Sequence, residues 1–332
     1  MRRAILVAFL LAVLAPQAAA APQGAPRAIG VSSPADHATH PRAMHEWWSV
    51  RLVDPRSRAW LDVTADRELD VRGVRVIGVN AANQWVDDGF GTPDIAANRT
   101  SLDAVGPDGR LAVRRRGAGI ALESSAVTGT LRLSNIRRGP AARGWRLGEG
   151  FAIGGAGFRP VTLDGWSMPI AAANARGSLN IRGAPFDVRG WRASYQHGWG
   201  DVLQGDRAWD FWDQLVVPAP NGVTYVAYGL NRLDTVTGPG ARDAQWLGLL
   251  ARVGPNGVRV CRPRVDRHRW ALLYPEFTRY ATWLRFRCGE IKLRTGDAQT
   301  MSIAQYVTHA EVRGRTRGRR PGFAMHLAHP LR

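Results

Sequence analysis

Lysine is almost missing from this chain: Lys292 stands alone among 45 basic residues in 332. Arginine in place of lysine throughout, beside abundant alanine and glycine, reads as codon bias rather than a surface tuned to one partner. Cysteine is nearly as scarce, with Cys261 and Cys288 alone, and no Cys-His set at metal-ligand spacing is present. There is no HExxH pair, and the histidines of "HATH" (37–40) and "HLAH" (326–329) fall on opposite faces if extended. The sequence therefore points to no metal and no cofactor. A G-x-S-x-G elbow is absent, which excludes the usual serine-hydrolase nucleophile. The glycine-rich "GEGFAIGGAG" (148–157) lacks the Lys-Ser/Thr of a phosphate loop and reads as turns. After the first 20 residues no apolar run is long enough to cross a bilayer as a helix. Acidic residues are few, 27 in all, leaving a net charge of +18. No nucleic-acid motif accompanies the Arg114–Arg116 and Arg313–Arg320 clusters, so nucleic acid is not the expected partner. Solvated loops with weak affinity for anionic envelope polymers or lipid are the simpler reading.

What is present starts with a leader. Arg2 and Arg3 precede an apolar stretch, Ile5 to Leu14, and the small residues Ala18-Ala19-Ala20, the pattern of a secretory signal peptide spanning 1–20. Export predicts that Cys261 and Cys288 form a disulfide. Each lies in an alternating stretch, so the bridge is expected between antiparallel neighbours. Residues 21–42, rich in Pro, Ala and Ser, read as a flexible mature N-terminus. Beyond them alternation predicts strands at 74–80, 129–136, 178–183, 222–233, 283–294 and 310–315, separated by turns such as "PDG" (107–109) and "PNG" (255–257). Only "MPIAAANA" (168–175) invites a helix. With 37 glycines and 20 prolines, the pattern is that of an all-β sandwich or barrel, and the length suits about two domains.

Two aromatic clusters carry the candidate chemistry. In "MHEWWSVRLVD" (44–54) a strand sends Glu46 and Trp48 to one face and His45, Trp47 and Ser49 to the other. A carboxylate desolvated beside tryptophans is either a general acid of raised pKa or the anchor of a buried hydrogen-bond network. In "WRASYQHGWGDV" (191–202) Tyr195, His197 and Trp199 share a face, and "WDFWDQL" (209–215) follows. Tyr195 and His197 can supply proton transfer. The competing reading is an aromatic core whose N–H and O–H groups are satisfied by Asp and His.

Taken in order, "HEWW", "ASYQHGWGDV" and "WDFWDQLVVPAPNG" make the chain resemble the tandem lipocalin-like family of carotenoid 1,2-hydratase (hydroxyneurosporene synthase) and the AttH-type hydrolases; fungal Diels–Alderases of two-domain build are similar. The resemblance covers roughly residues 40–332. It implies two consecutive lipocalin-like antiparallel β-barrels, 43–185 and 186–332, with an apolar ligand cavity in or between them. Glu46, Trp47 and Trp48 match the family's first motif, Tyr195, His197, Trp199 and Gly200 the second, and Trp209, Phe211, Gln214 and Leu215 the third. Catalysis is thus expected of Glu46, His197 and Tyr195, and ligand contact of Trp47, Trp48, Trp199, Trp209, Trp212 and Asp213. Members usually carry an aspartate where this chain has Gln196 and a polar residue where it has Gly198, and the hydratases carry a tyrosine where it has Ser194. Gln196 cannot donate an acidic proton. The expectation is therefore an apolar or amphipathic small molecule such as a terpenoid, polyene or acyl lipid. It would be carried unchanged or transformed by metal-free acid–base chemistry less demanding than alkene hydration.

Overall fold

The computed structural model describes residues 25–328 apart from 58, 69–70, 93, 115–118, 125–126, 152–157, 201–210, 220–221, 233–244, 274–277, 289–290, 303–304, 314–318 and 322. The leader at 1–20 and Trp209 lie outside the described residues. Among those described the regular structure is β-strand, with one 3-10 turn at Pro34–His37. The fold is all-β and lipocalin-like. No helix in it is long and apolar enough to cross a membrane.

The first sheet is antiparallel and curls into a half-barrel. One wing of meandering strands runs from Trp85–Gly91 through Val71–Val79 and Trp60–Glu68 to His45–Val53. The other runs from Asp94–Ala97 through Ser101–Gly106, Gly109–Arg114, Gly119–Ser124 and Val127–Arg137 to Phe158–Ile181. The strand Trp191–Gly200 lies between the wings, paired with His45–Val53 on one side and Phe158–Ile181 on the other. The chain thus passes residue 185, where the sequence suggests a division, without leaving this sheet.

Alternation decides which side chains fill the concave face. Trp48, Val50 and Leu52 point inward with Ala193 and Tyr195, joining Leu111, Leu131, Phe186 and Trp191 in one buried cluster. Trp47 and Val53 point outward into a second cluster with Trp145, Trp166 and Met168, closed by Val216, Tyr228 and Leu249 of the next sheet. Each such large side chain contributes about 1.5–3 kcal/mol by leaving water. Because both faces are covered, every residue of His45–Val53 is buried.

The same double covering explains why 168–175 is not helical. It lies within the 24-residue strand Phe158–Ile181, with Met168 and Ala171 in the outer cluster and Ile170, Ala173 and Ala175 in the inner one. Neighbouring strands supply the backbone partners on both sides, and tertiary context overrides alanine's helix propensity. The pairing to Trp191–Gly200 shifts register between Ser167 and Ile170 and again before Ala173, so alternation there is broken. The glycine-rich stretch also differs from expectation: Gly148 and Gly150 belong to the strand Pro140–Phe151 rather than to a turn.

Residues 25–42, read from composition as flexible, are built into the fold. Ala28–Val31 pairs with Pro140–Phe151, and a strap of residues 32–44 crosses the end of the half-barrel. Thr39 fixes the strap through its N–H and hydroxyl, both donated to the Ala97 carbonyl at 3.2 and 2.8 Å. Arg143 donates to the Asp36 carboxylate. Proline and alanine here shape a buried turn that composition alone cannot distinguish from a free tail.

Two five-stranded sheets follow, one of Phe211–Pro218, Thr224–Arg232, Gln245–Gly254, Gly257–Cys261 and Phe323–Ala328, the other spanning Arg264–Pro321. Leu215, Val217, Tyr225, Leu250 and Phe286 pack between them. Cys261 and Cys288 are bonded, with Cα atoms 6.5 Å apart. The bridge joins the ends of strands in different sheets rather than antiparallel neighbours, since Cys261 already faces Leu250 across its ladder and Cys288 faces Ile291. A disulfide of this kind persists in an oxidising, extracytoplasmic compartment.

Candidate functional site

Register brings the two aromatic motifs together. Across four strands one row reads Arg67, Glu46, Trp199, Gly165, and the next on the same face reads Ala65, Trp48, His197, Ser167. Glu46 and His197 are therefore diagonal neighbours on the inward face, within reach across adjacent strands. His197 Nε2 lies 2.9 Å from Glu46 Oε1, and both side chains are fully buried. The other ring nitrogen, Nδ1, donates to the Asp36 carbonyl at 2.6 Å, which also accepts the Ser167 hydroxyl at 3.1 Å. With Nδ1 bearing that proton, Nε2 and the carboxylate would be two acceptors facing each other. The pair can thus take up one proton between them.

The strap supplies the rest of the carboxylate's shell. The His40 N–H donates to Oε1 at 2.7 Å, and His40 Nδ1 lies 3.1 Å from the same atom. Arg67 Nη2 donates to Oε2 at 2.7 Å and to the His40 carbonyl at 2.9 Å. Burial works to raise the Glu46 pKa, but the hydrogen bonds from His197 and His40 outweigh it and hold the group at about 2. The raised pKa expected from desolvation beside tryptophans is thus reversed: the sequence shows the apolar neighbours but not the donors folded over them. Burial pulls the His197 cation below the usual 6.5, with Glu46 opposing.

Aromatic rings clamp both histidines. Trp48 stacks on His197, centroids 4.6 Å apart and planes 7° from parallel. Trp199 stacks on His40 at 3.9 Å and 2°. Glycines make this possible, because a Cβ at Gly165 would meet the Trp199 ring at 2.1 Å and one at Gly198 would meet Trp47 at 2.1 Å. The glycine after His197 is thus a packing requirement of Trp47, not a lost polar group.

Of the residues named from sequence, Glu46, His197, Trp48 and Trp199 converge here. Tyr195 lies one pleat deeper, 1% exposed in the inner core with its ring 5.1 Å from His37. Trp47 is on the opposite face. Trp212 and Asp213 belong to Phe211–Pro218 in the second sheet. Gln196 also faces away from Glu46: its side-chain oxygen accepts Trp166 Nε1–H at 2.8 Å and the Gln214 amide, joining the first sheet to the second. Sequence reasoning missed His40, Arg67 and Asp36. The "HATH" motif was the available signal for His40, hidden because it lies on a strap and not on a strand.

His40, Glu46 and His197 also place three potential metal-donor atoms within 4.8 Å of one another. The Arg67 guanidinium on the same carboxylate opposes a dication there. The donor set suits proton sharing better.

No protein-family model and no curated protein matches the sequence. Solved structures do. An AttH-like protein of Nitrosomonas europaea superposes with a TM-score of 0.62 at 14% identity, over 91% of this chain and 97% of that one. Kievitone hydratase from Nectria haematococca gives 0.51 at 11% identity over 92% and 95%, and CghA in complex with Sch210972 gives 0.53 at 12% over 87% and 89%. At these identities the likeness is one of architecture: this chain is similar in fold to AttH-like and kievitone-hydratase-like lipocalin proteins.

Proposed function

We propose that this protein is an exported acid–base enzyme, hydratase- or hydrolase-like, acting on an apolar or amphipathic small molecule through Glu46 and His197. One observation carries the reading: a buried carboxylate and imidazole lie 2.9 Å apart while the far ring nitrogen is tied to a backbone carbonyl. That bond keeps a proton on Nδ1, so Nε2 is the nitrogen that takes up and releases one. In this role His197 stores the proton and passes it out through Glu46 Oε1, its Nε2 contact, to the substrate on the His40 side. Trp48 and Trp199 hold the rings in place. The substrate approaches from the side of His40, whose side chain is 29% exposed where Glu46 and His197 are closed off.

The fold neighbours support an enzyme of the hydratase or hydrolase kind, one of them being a hydratase by name. An apolar substrate follows from the tryptophan-rich surroundings, and export from the leader and the disulfide. The position of Gln196 bears on the reaction: an acid at 196 would act on the inter-sheet side, so its replacement leaves the Glu46–His197 pair intact.

The test is a panel of polyenes, terpenoids and acyl esters incubated with the protein and with Glu46→Gln and His197→Ala. Turnover by the parent that both substitutions abolish, with ligand binding and folding retained, supports the proposal. Saturable binding with no turnover across the panel makes the protein a carrier instead. Salt-sensitive binding to anionic polymers alone makes it an envelope-attached protein.

A further inference from the structure

We infer that His40 is the proton relay that recharges the buried pair, a positioning residue acting through Glu46; this rests on the acid–base reading above. Few routes lead to His197. Its ring is enclosed, with Trp48 stacked on one face at 4.6 Å and Trp199 tilted against it at 4.9 Å. Nδ1 is committed to the Asp36 carbonyl and Nε2 to Glu46 Oε1, and the side chain has no exposed surface. A proton reaching Nε2 therefore passes through Oε1.

Among the described residues Oε1 has one further side-chain partner, His40 Nδ1 at 3.1 Å. The other carboxylate oxygen is held by Arg67, a donor that does not give up its proton in proteins. Among the described residues His40 alone combines an imidazole ring, contact with the carboxylate and 29% exposure. The stack on Trp199 and the backbone bond to the same oxygen at 2.7 Å aim its Nδ1 inward.

The step is a balanced series of three hops. Hydronium protonates His40 at Nε2 and leaves as water, His40 releases its Nδ1 proton to Glu46 Oε1, and Glu46 passes the proton to His197 Nε2. Glu46 ends as carboxylate and His40 as the opposite neutral tautomer, which ring rotation or exchange with water resets.

No substrate is needed to test this. The exchange of the His197 ring N–H protons with solvent is followed by nitrogen-resolved NMR in the parent, His40→Phe and His40→Ala. Phenylalanine keeps the stack on Trp199 and the backbone bond to Glu46 while removing both nitrogens. The expected result is exchange slowed roughly 100-fold in both variants, the lower end of what a positioned proton-transfer group supplies. Added imidazole should restore the rate in His40→Ala, which leaves room for it, and not in His40→Phe. Parent-like exchange in His40→Phe would overturn the relay, and so would slowing in His40→Ala that imidazole leaves untouched. Failure here leaves the Glu46–His197 reading standing, because turnover is not the readout. Conversely, unchanged turnover in Glu46→Gln would sink that reading without altering the exchange result.

Discussion

Trp199 lies between a histidine and a glycine: its indole is flat on His40 at 3.9 Å and so close over Gly165 that a methyl there would come within 2.1 Å of the ring. Gly165→Ala must displace the indole. We expect a loss of about 1–3 kcal/mol in urea unfolding, the range for overpacked sites, with a change in near-ultraviolet dichroism as the stack on His40 opens. Gly198→Ala meets Trp47 as closely but on the far side of the sheet. It should cost a similar amount and leave the ring-current shifts of His40 and His197 in place. Equal effects of both substitutions on His40 would contradict this division of the two faces.

Acid should weaken the fold through Glu46. Its pKa falls from 4.5 unfolded to about 2 folded, so its contribution is complete above about pH 4.5 and disappears as pH drops toward 2. The shift corresponds to roughly 3 kcal/mol. His197, also depressed below 6.5, acts in the same direction, favouring the folded state at higher pH. Unfolding midpoints measured from pH 7 to 2 should decline more steeply in the parent than in Glu46→Gln. Parallel declines would show that the carboxylate is not the group responsible.

Gln196 should matter for cohesion rather than chemistry. Its oxygen satisfies the buried N–H of Trp166 and the amide of Gln214. Gln196→Ala orphans both, at about 1–3 kcal/mol per buried donor. The expected signature is lower stability with unaltered His197 nitrogen shifts. A moved His197 resonance would instead connect position 196 to the inward site.

Replacing Cys261 and Cys288 by serine removes a crosslink spanning 27 residues. The chain-entropy account predicts about 3 kcal/mol of lost stability. Hydrogen exchange should accelerate first in the strands flanking the bridge, while amides of His45–Val53 stay protected. Uniform acceleration across both halves would mean that the sheets unfold as one unit.

Much of this architecture is legible in the sequence. Val74, Val76 and their alternating neighbours announce a strand with one buried face, and Glu46, Trp48, His197 and Trp199 declare themselves through aromatic company and shared parity. What could not be read is everything that depends on a third party. Met168 to Ala175 lost its strand signal because both faces are buried and the register shifts. The carboxylate's pKa reversed sign because its donors come from a strap read as a tail. Gln196 and His197 are adjacent in sequence, yet alternation sends one to a seam between sheets and the other into a proton-sharing pair.

The placement of Trp191–Gly200 between the two wings has a consequence for how the molecule comes into being. Each wing is a run of meanders that can assemble from local hairpins as the chain is made. The strand joining them is the last of this sheet to be synthesised, separated from Glu46 by 151 residues at the His197 contact. Until it docks, Glu46 stands on an open, hydrated edge as an ordinary surface carboxylate, and the strap has no imidazole to hold. Contacts of such long separation form slowly. The capacity to share a proton is therefore acquired in one late zippering event, and a nascent or partly unfolded chain has none of it.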